Sequence, residues 1–190
     1  VKQMNEGPAL VIKRKVNGPN GMIRNAPRLI DANKQDINVA VGNGALGANT
    51  TGIRHTAIGQ GALGSNTTGS RNTGVGYAAL NGNTTGQYNT AVGNSALAVN
   101  STGAKNVAVG NYVLDANTTA DNNTAIGYNS LGANTTGTKG TAVGSGSLQQ
   151  NTTGNYNTAL GQSALYTNTT GSDNTALGYR AGHKAAVYQK

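Results

Sequence analysis

The 190-residue chain has no cysteine, no phenylalanine and no tryptophan, and only three prolines, all within its first 37 residues. Without cysteine there is no disulfide framework and no thiolate metal site. Without the two largest apolar aromatics, eight tyrosines are the whole aromatic complement, so a core must be assembled from Val, Ile, Leu and Ala in thin layers. Acidic residues are scarce as well, six against 14 Lys and Arg. Outside glycine, no apolar run exceeds four residues. That excludes a membrane-crossing helix and a signal-peptide core from this stretch, and we expect no membrane insertion.

What the chain has in quantity is glycine, 29 residues of it, and glycine is periodic. It stands at 42, 59, 76, 93, 110, 127, 144, 161 and 178, a constant step of 17 with no insertion. The cleanest copy of the unit runs from Asn157 to Asp173; residues 38–173 hold eight copies, and 174–182 begin a ninth. A fixed period of this length marks a repeat architecture.

Comparing the copies column by column shows what each unit requires. Position four is always a branched aliphatic: Val41, Ile58, Val75, Val92, Val109, Ile126, Val143, Leu160 and Leu177. Position nine is leucine in every full copy: Leu46, Leu63, Leu80, Leu97, Leu114, Leu131, Leu148 and Leu165. Position three never exceeds alanine, and position eight is Ala, Ser or, once, Val113. We take positions four and nine as the structural core. Position twelve is asparagine throughout, at Asn49, Asn66, Asn83, Asn100, Asn117, Asn134, Asn151 and Asn168, and position fourteen is threonine.

Apolar positions at 3, 4, 8 and 9 of 17 do not repeat at 3.6, and the glycines and β-branched residues oppose a helix. A parallel β-solenoid fits, one coil per repeat, with neighbouring coils roughly 4.7 Å apart and a rod of roughly 42 Å. Stacking would turn the position-twelve asparagines into a ladder of amide hydrogen bonds and the position-fourteen threonines into one of hydroxyls. The Asn-Thr-Thr triplets, with Asn100-Ser101-Thr102 in one copy, also match the N-glycosylation pattern, but eight copies of one corner are better explained by structure. One Val and one Leu per coil is little burial against the ordering of 17 residues. We therefore expect a homo-oligomer, with the small side chains of position three or eight at the subunit contact.

Charge is concentrated at the ends. Residues 1–37 carry seven Lys or Arg against three acids, and the repeats five against three. Such an array lacks the dense basic stripe that nucleic acid requires, and no nucleic-acid partner is expected. The first 37 residues contain a candidate β-hairpin, Ala9 to Val16 and Met22 to Arg24 about an Asn-Gly-Pro-Asn-Gly turn, which we read as an adaptor joining the array to a scaffold protein. Its candidate anchor residues are Lys13, Arg14, Lys15, Arg24 and Arg28. Residues 183–190 abandon the pattern and read as a cap.

Catalytic chemistry is hard to assemble from this inventory. His55 and His183 are far apart, and His55 takes a place that other copies give to asparagine. Asp115, Asp121 and Asp173 occupy three different columns, so no acid–base pair forms along a ladder. Calcium-binding rolls repeat a carboxylate in each unit; this array does not. We expect no enzyme activity, no cofactor and no metal site. Position seventeen varies and should be exposed, while Tyr77, Tyr128 and Tyr179 recur at position six, three coils or roughly 14 Å apart. These tyrosines are candidate surface contacts, suited to sugar rings or a protein partner.

The core Asn-Thr-Ala-Val/Ile-Gly with a small residue three positions on resembles the head repeats of YadA-like trimeric autotransporter adhesins. Residues 123–137, Asn-Thr-Ala-Ile-Gly-Tyr-Asn-Ser-Leu-Gly-Ala-Asn-Thr-Thr-Gly, also resemble repeats of phage tail-fibre proteins. The likeness spans residues 38–182 and implies a trimer of left-handed parallel β-rolls. The 190 residues contain neither the coiled-coil stalk nor the membrane-anchor barrel of those adhesins. With the basic adaptor, this leads us to expect a virion tail or surface fibre involved in host attachment. The alternatives are an adhesin head fragment on a bacterial cell surface and, third, an ice-binding solenoid.

Overall fold

The computed structural model of the chain describes residues 38–183. The expected hairpin and the anchor cations Lys13, Arg14, Lys15, Arg24 and Arg28 lie outside the described residues, as does the tail from 184 onward.

Each repeat forms one coil and supplies one three-residue strand. These are β1 (Val39–Val41), β2 (Thr56–Ile58), β3 (Thr73–Val75), β4 (Thr90–Val92), β5 (Val107–Val109), β6 (Thr124–Ile126), β7 (Thr141–Val143), β8 (Thr158–Leu160) and β9 (Thr175–Leu177). They make a single parallel sheet in sequence order. Every strand pairs with the next at an offset of one repeat, from Val41 opposite Ile58 to Leu160 opposite Leu177. The chain is an all-β parallel solenoid, with no helix among the described residues.

Two kinds of corner close each coil. Glycine at position five has φ between 117° and 136°, a backbone open only to glycine. A Cβ on Gly93 would also stand 2.2 Å from the carbonyl oxygen of Gly110 in the next coil. Position five is glycine because both the dihedral and the close approach of the neighbouring coil require it. The second kind is left-handed and is tolerated by ordinary residues: position nine has φ of 48–53° in all eight leucines, and position seventeen has φ of 56–61°. A left-handed L-residue costs roughly 1–2 kcal/mol. Leucine bears that cost because the turn drives its side chain across the coil while its N–H bonds the next coil, as in Leu63 N–H to Ala79 O at 2.9 Å.

The core differs from the expected one on one face of the strand. Position nine is interior as expected, with Leu63, Leu80, Leu97, Leu114 and Leu148 fully enclosed. Position four is not: the side chains of Val41, Ile58, Val92, Ile126, Leu160 and Leu177 are exposed, and Val75, Val109 and Val143 are half-buried. The interior instead takes the alanines of positions three and eight, including Ala57, Ala62, Ala91, Ala96, Ala108 and Ala159. Strand alternation requires positions three and four to face opposite ways, and only the small one fits inside. A Cβ at Gly74 would meet Ala79 O at 3.1 Å and Leu63 Cγ at 3.5 Å; a methyl fills that space and a branched side chain would collide. Positions three and eight are therefore inside the coil and cannot form the subunit contact that the sequence suggested.

Candidate functional site

Inside the solenoid, polar chemistry runs in ladders. Along position twelve, each asparagine donates Nδ2–H to the Oδ1 of its predecessor, seven links from Asn66–Asn49 to Asn168–Asn151 at 2.7–3.1 Å. The same amide nitrogens also cap the position-fifteen carbonyl of their own coil, as in Asn100 to Gly103 O at 2.9 Å. Asn66, Asn83, Asn100, Asn117 and Asn134 are fully enclosed, so the Asn-Thr-Thr and Asn-Ser-Thr triplets of these coils present no accessible amide to a glycosylating enzyme.

A second ladder, missed in the sequence, runs along position one. There the backbone N–H of each coil donates to the side chain of the coil before, as in Asn89 N–H to Asn72 Oδ1 at 2.9 Å and Asn123 N–H to Asn106 Oδ1 at 2.9 Å. Asn72, Asn89, Asn106 and Asn123 are buried. The signal was present as asparagine in seven of nine copies, but His55 and Gly140 break the column. The hydroxyl ladder also sits one residue earlier than expected. Position thirteen, from Thr50 to Thr152, donates Oγ to the next coil's backbone carbonyl at 2.9–3.4 Å. The position-fourteen threonines are all exposed.

His55 fits the position-one ladder by imitating asparagine. Its Nδ1 accepts from Asn72 N–H at 3.2 Å, and its Nε2 lies 2.8 Å from Gly69 O, which together select the neutral ring protonated at Nε2. Asn66 Nδ2 lies 3.2 Å from the same Nε2 and shares the Gly69 carbonyl. Burial holds the His55 pKa below its ordinary value, with the Gly69 carbonyl pulling the other way. Asp115 is pushed the opposite way, its carboxyl raised by burial. No buried side-chain nitrogen or oxygen among the described residues lacks a partner. The interior polar groups are thus committed to structure, and a candidate site has to be sought on the outside.

Three outer columns stand out. The branched aliphatics of position four form an unbroken apolar stripe over nine coils, 47% exposed at Val41, 40% at Ile126 and 46% at Leu160. Tyr77, Tyr128 and Tyr179 flank it at position six, all exposed. Tyr128 meets Tyr112 edge-on at 6.0 Å, and the Arg180 guanidinium lies 5.2 Å from the Tyr179 ring. The third column is position seventeen, which carries four cations, two tyrosines, Asn122 and Asp173. Arg71 donates from Nη1 to Tyr88 Oη at 2.6 Å and lies 5.1 Å from that ring; Lys139 donates from Nζ to Tyr156 Oη at 2.8 Å and lies 4.6 Å from its ring.

Among the described residues no group of three or more His, Cys, Asp or Glu could hold a metal ion, and no helix is long and apolar enough to cross a membrane. The architecture defines a parallel β-solenoid repeat protein. Comparison with known protein families, with curated proteins and with solved structures returns no match for the chain.

Proposed function

We propose that this protein is a non-enzymatic attachment rod: a fibre or spike of a phage virion, assembled from three copies as left-handed parallel rolls and joined to its particle through residues 1–37. The observation that carries the reading is the apolar stripe at position four. A row of nine branched side chains on a regular parallel sheet is poorly suited to water and well suited to a second copy of equal length. Matched copies would cover it coil against coil and supply the burial that a narrow interior of Ala and Leu cannot. The number three, the hand of the coil and the virion setting follow from the repeat's likeness to adhesin heads and tail fibres.

The test has two arms. Sedimentation of the purified chain should give the mass of three chains, and replacing Val92, Val109 and Ile126 together with threonine should shift it toward the monomer. A wild-type chain that sediments as a folded monomer overturns the assembly. Mass spectrometry of purified virions should detect the chain; its recovery from a bacterial envelope instead would replace the virion setting with that of an adhesin head.

A further inference from the structure

We propose that the position-seventeen column is a binding strip for a linear acidic polysaccharide lying parallel to the rod. This rests on reading the rod as an attachment element, and it names the class of surface that the rod would attach to.

The column is a continuous file by construction. Arg54, Arg71, Tyr88, Lys105, Asn122, Lys139, Tyr156 and Asp173 share one left-handed corner, all with φ of 56–61°, in consecutive coils of a sheet that never slips register. All eight are exposed. Lys105 is two coils from Arg71 and two from Lys139, a separation of roughly 9.5 Å on each side. Two cation–tyrosine pairs, Arg71–Tyr88 and Lys139–Tyr156, lie on either side of Lys105 and repeat after four coils.

These pairs hold the Arg71 and Lys139 side chains along the file, so a ligand has less side-chain freedom to remove on binding. They also place a cation over one face of an aromatic ring twice, with each tyrosine about half exposed, so that the outer part of the ring can meet a sugar while the cation meets its acidic substituent. Asp121, at position sixteen beside the file, has its carboxylate turned to Ala104 N–H at 2.6 Å. Asp173 closes the file at its C-terminal end.

The charge spacing selects the ligand. From Arg54 to Lys139 there are four cations over roughly 24 Å of rod, a length in which duplex DNA carries about fourteen charges. Nucleic acid is therefore badly matched. A pyranose ring is about as long as one coil is high, so a chain with an acid on every second sugar places one anion against each cation of the Arg71, Lys105, Lys139 series.

Binding of the full chain to a soluble polysaccharide with one glucuronic acid per disaccharide tests the assignment, with its carboxyl-reduced form and single-stranded DNA as comparators. The acidic polymer should bind at least about tenfold tighter than the reduced one, and its affinity should fall as salt screens the exposed charges. The combined variant Arg71→Gln, Lys105→Gln, Lys139→Gln should lose about tenfold in affinity and most of the salt dependence. Tyr88→Ser with Tyr156→Ser should lose several-fold while thermal unfolding stays as in the wild type. Undiminished binding by the Gln variant, tighter binding to DNA, or no binding to the acidic polymer overturns the proposal. Attachment of the rod to cells, measured separately, is untouched by any of those failures and decides the attachment reading by itself.

Discussion

His55 shows how one residue can carry a condition-dependent cost. In the folded chain its Nδ1 faces a backbone N–H, so protonation sets two donors against each other in a buried site. The folded-state pKa lies below the ordinary value of 6.5, so the unfolded chain takes up the proton first and stability falls as pH drops through 6.5. Above that value the ring is neutral in both states and the dependence vanishes. His55→Asn, which restores the ladder residue, should flatten the stability profile between pH 7 and pH 5 as followed by thermal melting. A variant that keeps the wild-type slope would place the titrating group elsewhere. Gly140 offers the complementary case. Its own N–H still bonds Asn123 Oδ1 at 2.8 Å, but it offers no side chain to Asn157. Gly140→Asn should stabilise by about 1 kcal/mol, with Asn123 and Leu131 shifting slightly to admit the new Cβ; a lower melting temperature would show that they cannot.

At the scale of the element, the strand sorts its side chains by size and the ladders by position. Ala108 and Val109 are neighbours on β5 with opposite fates. Ala108→Val should cost about 1–3 kcal/mol through overpacking, whereas Val109→Thr should leave the fold of the coil intact and act on association. Asn100→Ala, in the middle of the position-twelve ladder, should cost about 1–3 kcal/mol because it strips partners from buried Asn83 and Asn117. Denaturant unfolding checks the costs of Ala108→Val and Asn100→Ala, and sedimentation checks the effect of Val109→Thr on association. The same contrast explains what was legible beforehand. Period, coil and fold class follow from columns that never vary, and so do the leucine core and the position-twelve ladder. The inside of the strand was not legible, because Thr-Ala-Val alternates equally well with either face turned inward; the room left by Leu63 and Ala79 at Gly74 exists only once the coil is closed. The hydroxyl ladder was misplaced by one residue because both candidate columns are rich in threonine. Nothing in residue type separates them, and only the direction of the Oγ decides.

For the whole molecule, stability is spread along one dimension. Each coil touches only the coil before and the coil after, with the same sheet register from β1 to β9, so folding energy is a sum of repeat and interface contributions. The described rod also separates its side chains by column: the asparagine ladders of positions one and twelve are buried, while the apolar stripe, the tyrosines and the cationic file lie outside. Association and ligand binding should therefore be separable by mutation. The position-four threonine variant should alter sedimentation without abolishing polysaccharide binding per chain, and the position-seventeen Gln variant should do the reverse; loss of both in either variant would show that the two columns act together.

The unbroken step of 17 has a further consequence, for evolution and for engineering. Because every column meets its own kind one coil on, a whole coil is an interchangeable part: excising residues 89–105 would bring β3 onto β5 in matching register and shorten the rod by roughly 4.7 Å, its cross-section unchanged. Length is thus a quantity that recombination between copies can reset in equal increments. The length of the rod can be changed without redesigning anything that holds it together.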